Sequence, residues 1–203
     1  MQQSRWLNWM IEQSSLRNAE SLIRFGAEKL SSISNVPRLE AEMLLSNLLE
    51  INRIKFHTDD IGISSKIMDK FESMIESRFK GMPIAYLIGK KEFWSLDFEV
   101  NPSVLVPRPE TELLIENAIE LLKDHESPRI LELGTGSGII SIVLYKELVT
   151  PEITATDISD EALYVAKNNA DRYQIKDINF LVSDWFSEIQ NKKYDLIISN
   201  PPY

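Results

Sequence analysis

The carboxyl-terminal part of the sequence alternates short apolar runs with segments of helical periodicity, and this alternation limits the fold more than any other feature. The apolar runs predict four strands, which are Arg129 to Leu133, Ile153 to Thr156, Ile178 to Val182 and Tyr194 to Ser199. Helices are predicted from Ile139 to Leu148 and from the capping residue Ser159 to about Asp171. Strands that alternate with helices form a parallel sheet with right-handed crossovers. The sequence therefore predicts an α/β fold with an open, doubly wound, Rossmann-like sheet.

Glycines and acidic residues follow the first three predicted strands, at the sheet edge where open α/β folds bind ligands. Glu132-Leu-Gly-Thr-Gly-Ser-Gly138 opens a helix, and its glycines allow close approach of backbone to a ligand. Asp157 can accept both hydroxyls of a ribose, while Asp184 and Trp185 can bind and stack on an adenine. The predicted cofactor-binding residues are Glu132, Gly134, Thr135, Gly136, Ser137, Gly138, Asp157, Asp184, Trp185 and Asn200.

The spacing of the glycines distinguishes between a dinucleotide cofactor and S-adenosylmethionine. A dinucleotide fingerprint has its third glycine one position later, where this chain has Ile139. Glu132 would repel a pyrophosphate, whereas it suits a cationic amino group or a sulfonium ligand. S-adenosylmethionine therefore fits better than a nicotinamide cofactor, and a Rossmann oxidoreductase is the least favoured class.

The last predicted strand runs directly into Asn200-Pro201-Pro202-Tyr203. Each proline fixes its own φ and restricts the preceding residue, so Asn200 and Pro201 are held extended. The Asn200 side-chain oxygen and the Pro201 carbonyl are acceptors that suit a planar NH2 group, and Tyr203 can cover its flat face. Taken alone, these four residues are equally consistent with an ordinary loop after a strand.

The amino-terminal part predicts a small helical bundle over residues 1 to about 80. Its apolar stripes are Trp6, Leu7, Met10 and Ile11; Ala41, Leu44, Leu45, Leu48 and Leu49; and Ile67, Met68, Phe71, Met74, Ile75 and Phe79. A β-hairpin with its turn at Asn101-Pro102-Ser103 should follow, and Pro109 should open the next helix. The predicted domains are a helical substrate-recognition domain over residues 1–82, a hairpin linker over 83–107 and a cofactor-binding domain over 108–203.

Composition excludes several functional classes. The net charge of −9 and pI near 4.9 argue against a groove that binds nucleic acid through many phosphates. The chain has no cysteine, and its two histidines, His57 and His125, are far apart, so no metal site is predicted. The amino terminus lacks a basic segment followed by a long apolar core, which predicts neither export nor a membrane span but a cytoplasmic protein.

The glycine segment, Asp157, Ser183-Asp184-Trp185-Phe186 and Asn-Pro-Pro-Tyr together resemble class I S-adenosylmethionine-dependent methyltransferases that act on a planar nitrogen. With Glu92-Phe-Trp-Ser-Leu96 and Val104-Leu-Val-Pro-Arg-Pro-Glu-Thr-Glu112, essentially the whole chain resembles the bacterial release-factor glutamine N(5)-methyltransferases. Adenine and guanine amino-group methyltransferases share Asn-Pro-Pro-Tyr, so the Pro107–Glu112 segment discriminates between them. Members of the family continue beyond this motif, and we therefore expect a truncated chain with a sheet that is incomplete at its carboxyl end.

This resemblance implies methylation of the glutamine side-chain amide in the Gly-Gly-Gln motif of class-1 peptide-chain release factors. It implies S-adenosylmethionine as cofactor and release factors as partners, without direct nucleic-acid or membrane binding. Asn200 and Pro201 would be catalytic, and Pro202, Tyr203 and Phe93 would pack around the glutamine. Two alternatives stay open, an adenine or guanine amino-group methyltransferase and a non-catalytic module that binds S-adenosylmethionine.

Overall fold

The computed structural model describes residues 18–189 and 192–201, and its contacts divide the chain into two compact units, residues 1–88 and 89–203. The predicted stripe from Trp6 to Ile11 lies outside the described residues. Within the described ranges, no helix is both long and apolar enough to cross a membrane.

The first unit is helical. Its helices are α1 (Ala19–Leu30), α2 (Pro37–Leu49), α3 (Lys55–Thr58), α4 (Ser65–Phe79) and α5 (Ile84–Ile88). Side-chain oxygens of Asn18 and Ser64 cap α1 and α4, and Pro37 opens α2. The predicted stripes on α2 and α4 contribute Ala41, Leu44, Leu45, Phe71 and Ile75 to the core. Phe79 differs from the prediction, because it lies at the end of α4 and is 42% exposed.

The second unit begins with a hairpin, β1 (Lys90–Phe93) and β2 (Leu96–Glu99), which pair antiparallel. Its turn is at Trp94 and Ser95, with φ of +53° and +58°, so the predicted turn position was wrong. Two consecutive residues of positive φ form the tight turns that match strand twist, and here neither is glycine or asparagine. Asn101 also forms a turn, in which its Oδ1 accepts from the Ser103 N–H, but that turn lies outside the hairpin.

Helix α6 (Glu110–Leu122) begins directly after Pro109, as predicted. The remaining elements are β3 (Arg129–Leu133), α7 (Ile139–Glu147), β4 (Glu152–Asp157), α8 (Asp160–Arg172), β5 (Asn179–Val182) and β6 (Leu196–Ser199). The Ser159 side chain caps α8, accepting from the Ala162 N–H at 3.1 Å. Each element lies within a few residues of its predicted position.

The four strands β3 to β6 form one parallel sheet in the order β5-β4-β3-β6, which confirms the predicted open α/β fold. Leu133 pairs in register with Thr156 on one side and with Ser199 on the other, so the carboxyl ends of the strands are aligned. The chain passes from β3 outward through β4 to β5, and then returns to the opposite side of β3. This reversal creates a topological switch point between β3 and β6, where open α/β sheets bind ligands.

Candidate functional site

A cavity of about 310 Å³ lies at the carboxyl ends of the parallel strands. It brings together residues that follow all four strands and a segment that precedes α6. The lining residues are Ser103, Val104, Leu105, Leu133, Gly134, Gly136, Thr156, Asp157, Ile158, Ala162, Ser183, Asp184, Trp185, Ser199, Asn200 and Pro201. Most of the predicted cofactor-binding positions and both predicted catalytic residues therefore face one space.

The glycine loop between β3 and α7 depends on left-handed backbone conformations. Gly136 has φ of +54°, and a Cβ placed on it would meet no atom within 4 Å, so its backbone is open to a ligand. Gly138 has φ of +81°, and a Cβ there would approach the Ala166 Cβ at 3.1 Å. Gly136 thus keeps the loop accessible. Gly138 allows the start of α7 to pack closely against α8.

Asp157 joins the glycine loop to the end of β4. Its Oδ2 accepts from the Gly136 N–H at 2.9 Å, and its Oδ1 accepts from the Ser159 N–H at 3.0 Å. Each carboxylate oxygen can accept more than one hydrogen bond. Asp157 therefore fixes the loop and keeps acceptor capacity for a ligand in the cavity.

Glu132 is a buried carboxylate, 1% exposed, beneath the glycine loop. Its Oε2 accepts from the Thr135 hydroxyl at 2.8 Å, from the Ser141 N–H at 3.1 Å and from the Ser141 hydroxyl. Burial raises the pKa of Glu132 to about 7, although these hydrogen bonds oppose the rise. The side chain thus ties the start of α7 to the end of β3.

Asp184 and Trp185 follow β5 at the far side of the cavity. Trp185 has φ of +50° and is 57% exposed, so its ring is accessible. Ile158, which follows Asp157, lines the same region and is also largely exposed. The arrangement offers an apolar surface beside a carboxylate, which suits a flat heterocycle.

Asn200 lies directly after β6, and it also lines a smaller adjoining cavity of about 40 Å³ together with Glu132, Thr135, Ser137 and Arg108. The Asn200 Nδ2 donates a hydrogen bond to the Thr111 hydroxyl at 3.0 Å. Ser199, just before it, donates from its hydroxyl to the Leu133 carbonyl at 2.8 Å. Hydrogen bonds therefore hold Ser199 to β3 and Asn200 to α6.

Both units match known protein families. Residues 21–89 match the PrmC N-terminal domain, and residues 109–203 match the Methyltransferase small domain. A release factor glutamine methyltransferase of Shewanella oneidensis is 37% identical over 195 residues, which cover 96% of this chain and 67% of that protein. The chain belongs to the release factor glutamine methyltransferase family.

A second protein of that name, from Coxiella burnetii, is 40% identical over 178 residues, or 87% of this chain and 64% of the relative. The chain thus spans about two thirds of the length of these relatives. Among solved structures, a ribosomal protein L11 methylase from Lactobacillus delbrueckii subsp. bulgaricus superposes with a TM-score of 0.41 at 32% identity, covering 46% of this chain and 47% of that one.

In this member of the release factor glutamine methyltransferase family, Phe93 does not lie with the other predicted site residues. It is 4% exposed, and its ring packs edge-on against Phe98 at 6.4 Å between centroids. Phe93 does not line the cavity of about 310 Å³ at the strand ends; it lines a different cavity, together with Glu112 and Glu147. Pro202 and Tyr203 lie outside the described residues, so their predicted roles stay predictions.

Sequence reasoning missed two buried polar residues of this family member. Thr111 contacts Asn200 across 89 positions of sequence. Asn169 on α8 is fully buried; its Nδ2 donates to the carbonyls of Glu99 and Ser137 and its Oδ1 accepts from the Glu99 N–H. Asn169 thereby links the end of β2 to the glycine loop. The sequence carried one signal for Thr111, its place in the discriminating Pro107–Glu112 segment.

Proposed function

We propose that this chain carries out methyl transfer from S-adenosylmethionine to a glutamine side-chain amide of a protein. The proposed acceptor is the glutamine of the Gly-Gly-Gln motif in class-1 peptide-chain release factors. The observation that supports this most directly is the single cavity in which the glycine loop, Asp157 and Trp185 face Asn200 and Pro201. Membership of the family supports the choice of acceptor.

The residues around the cavity fit the proposed cofactor. The open backbone at Gly136 allows close approach, and Asp157 retains acceptor capacity for ribose hydroxyls. The exposed Trp185 ring and Ile158 suit an adenine, with Asp184 beside them. Gly134, Thr135, Ser137, Gly138 and Glu132 complete the proposed cofactor site around the loop. Bound there, S-adenosylmethionine supplies an electrophilic methyl group on a sulfonium.

The acceptor nitrogen needs positioning, because the lone pair of an amide is delocalised into its carbonyl. We assign the Asn200 Oδ1 and the Pro201 carbonyl as acceptors for the two amide hydrogens, which directs the nitrogen toward the methyl group. Orientation of this kind supplies roughly 7 to 11 kcal/mol in favourable systems. Acceptors fixed next to prolines need little reorganisation as charge develops on nitrogen. As the nitrogen–carbon bond forms, the bond between that methyl carbon and the donor sulfur would break, with its electron pair staying on sulfur. The methylated nitrogen then loses one proton to water, so no general base is required before transfer.

Mass spectrometry of a release factor incubated with the chain and S-adenosylmethionine tests this proposal. We expect a gain of one methyl group on the Gly-Gly-Gln glutamine, and no gain when that glutamine is replaced by alanine. Asn200→Ala should lower turnover by about a hundredfold or more, since it removes a charge-stabilising contact. Its affinity for S-adenosylmethionine, measured by calorimetry, should change much less.

Asn117→Ala is the matched control, because Asn117 is exposed on α6 and donates only to the Leu113 carbonyl among its described contacts. It should keep the turnover of the unmodified chain. Methyl transfer to adenine or guanine in place of the release factor, or cofactor binding without any transfer, would contradict the proposal in favour of the two alternative functions.

A further inference from the structure

The Pro107–Glu112 segment reaches the proposed acceptor site, where Thr111 contacts Asn200. Thr111 lies in the first turn of α6 and is 3% exposed. Its N–H donates to the Arg108 carbonyl at 3.1 Å, which closes the turn from Arg108 to Thr111 that contains Pro109. Its hydroxyl accepts from Asn200 Nδ2 at 3.0 Å. A rigid turn therefore holds the partner of the Asn200 side chain.

The orientation of the Asn200 carboxamide determines what it can bind. An asparagine presents two hydrogen-bond donors on nitrogen and an acceptor on oxygen, and the two ends have nearly the same shape. An acceptor amide NH2 group needs the oxygen end, whereas the nitrogen end would place donors against donors. The contact with Thr111 engages the nitrogen end and leaves Oδ1 as the end available to a ligand.

We propose that Thr111 is a positioning residue that holds the Asn200 carboxamide with its oxygen toward the acceptor amide. This inference rests on the proposed function, and it gives the Pro107–Glu112 segment a physical role. Without the hydroxyl, a half-buried donor on Asn200 loses this partner, and the side chain is free to turn.

The test compares Thr111→Val, which keeps the shape of the side chain but removes the hydroxyl, with Thr111→Ser, which keeps the hydroxyl. Thr111→Val should lower kcat about tenfold, as expected for one misplaced hydrogen bond in the transition state. The dissociation constant for S-adenosylmethionine should stay nearly unchanged, and Thr111→Ser should restore most of kcat. Thr150→Val is the control, because Thr150 is exposed and its hydroxyl bonds the Glu126 carbonyl.

A second measurement does not depend on turnover. In nitrogen-15 NMR spectra, the side-chain amide signals of Asn200 are assigned by their loss in Asn200→Ala. They should shift and exchange faster with solvent in Thr111→Val, but neither in Thr111→Ser nor in Thr150→Val.

The two proposals fail in different ways. An unmodified chain that transfers no methyl group contradicts the proposed function. With an active chain, unchanged kcat or unshifted Asn200 signals in Thr111→Val overturn the role of Thr111. A loss of kcat that Thr111→Ser does not rescue, together with a lower melting temperature, makes Thr111 a packing residue and also overturns the inference.

Discussion

Burial disfavours the charged form of the Glu132 side chain. Its pKa is raised from 4.5 to about 7, so between these pH values the folded chain holds a proton that the unfolded chain has released. The free energy of unfolding should therefore fall as pH rises through this window, by an amount on the order of 3 kcal/mol. Urea denaturation at several pH values between these limits measures the fall.

Glu132→Gln should flatten this dependence, because a neutral amide oxygen can accept the same hydrogen bonds without a charge. Glu116→Gln, on the exposed side of α6, should leave the dependence as it is. An equal pH dependence in all three proteins would show that Glu132 does not titrate in this range.

At the residue scale, the sequence predicted the positions that follow strands, because strand, glycine loop and acidic residue are close in sequence. It did not identify Thr111 or the burial of Phe93. Both depend on packing between distant segments, since only the folded second unit brings Thr111 to Asn200 and places Phe93 in a core with residues of α6 and α7.

Among the elements, α8 joins the hairpin to the glycine loop through Asn169. Asn169→Leu has similar volume but leaves the Glu99 N–H and the carbonyls of Glu99 and Ser137 without their partner. Each unpaired buried group costs about 1 to 3 kcal/mol, so we expect a loss of unfolding free energy of roughly 3 kcal/mol or more. Affinity for S-adenosylmethionine should also fall, because Ser137 belongs to the loop.

Urea denaturation and calorimetry measure these two effects, with Asn117→Leu, at an exposed position of α6, as the control. A variant of full stability and full cofactor affinity would mean that packing alone holds the loop against α8.

Element boundaries could be predicted where a local signal exists, as at Ser159 before α8 and Pro109 before α6. The position of the hairpin turn could not be predicted, because Trp94 and Ser95 adopt positive φ although neither is the glycine or asparagine that usually indicates such a turn. Asn101-Pro102 carries the stronger turn signal, and it does form a turn outside the hairpin.

For the whole molecule, we propose that the helical domain, predicted over residues 1–82, recognises the release factor. The residues that line the cavity at the strand ends all come from Ser103 onward, and the helices of the first unit have a core of their own. Removing residues 1–88, the first unit of the structure, should therefore raise KM for the release factor and leave the affinity for S-adenosylmethionine nearly unchanged. KM for a short Gly-Gly-Gln peptide should change much less. Equal loss of protein-substrate and cofactor binding would instead make the domain a support for folding.

The strand order β5-β4-β3-β6 separates the two halves of the proposed site. The residues assigned to the cofactor mostly follow β3, β4 and β5, whereas those assigned to the acceptor follow β6, on the other side of the switch point. Substitutions in the segment after β6, and at Thr111 in α6 that contacts it, can therefore arise during evolution while the residues after β3, β4 and β5 are kept. A protein with this strand order can thus change which nitrogen it methylates and still bind the same methyl donor.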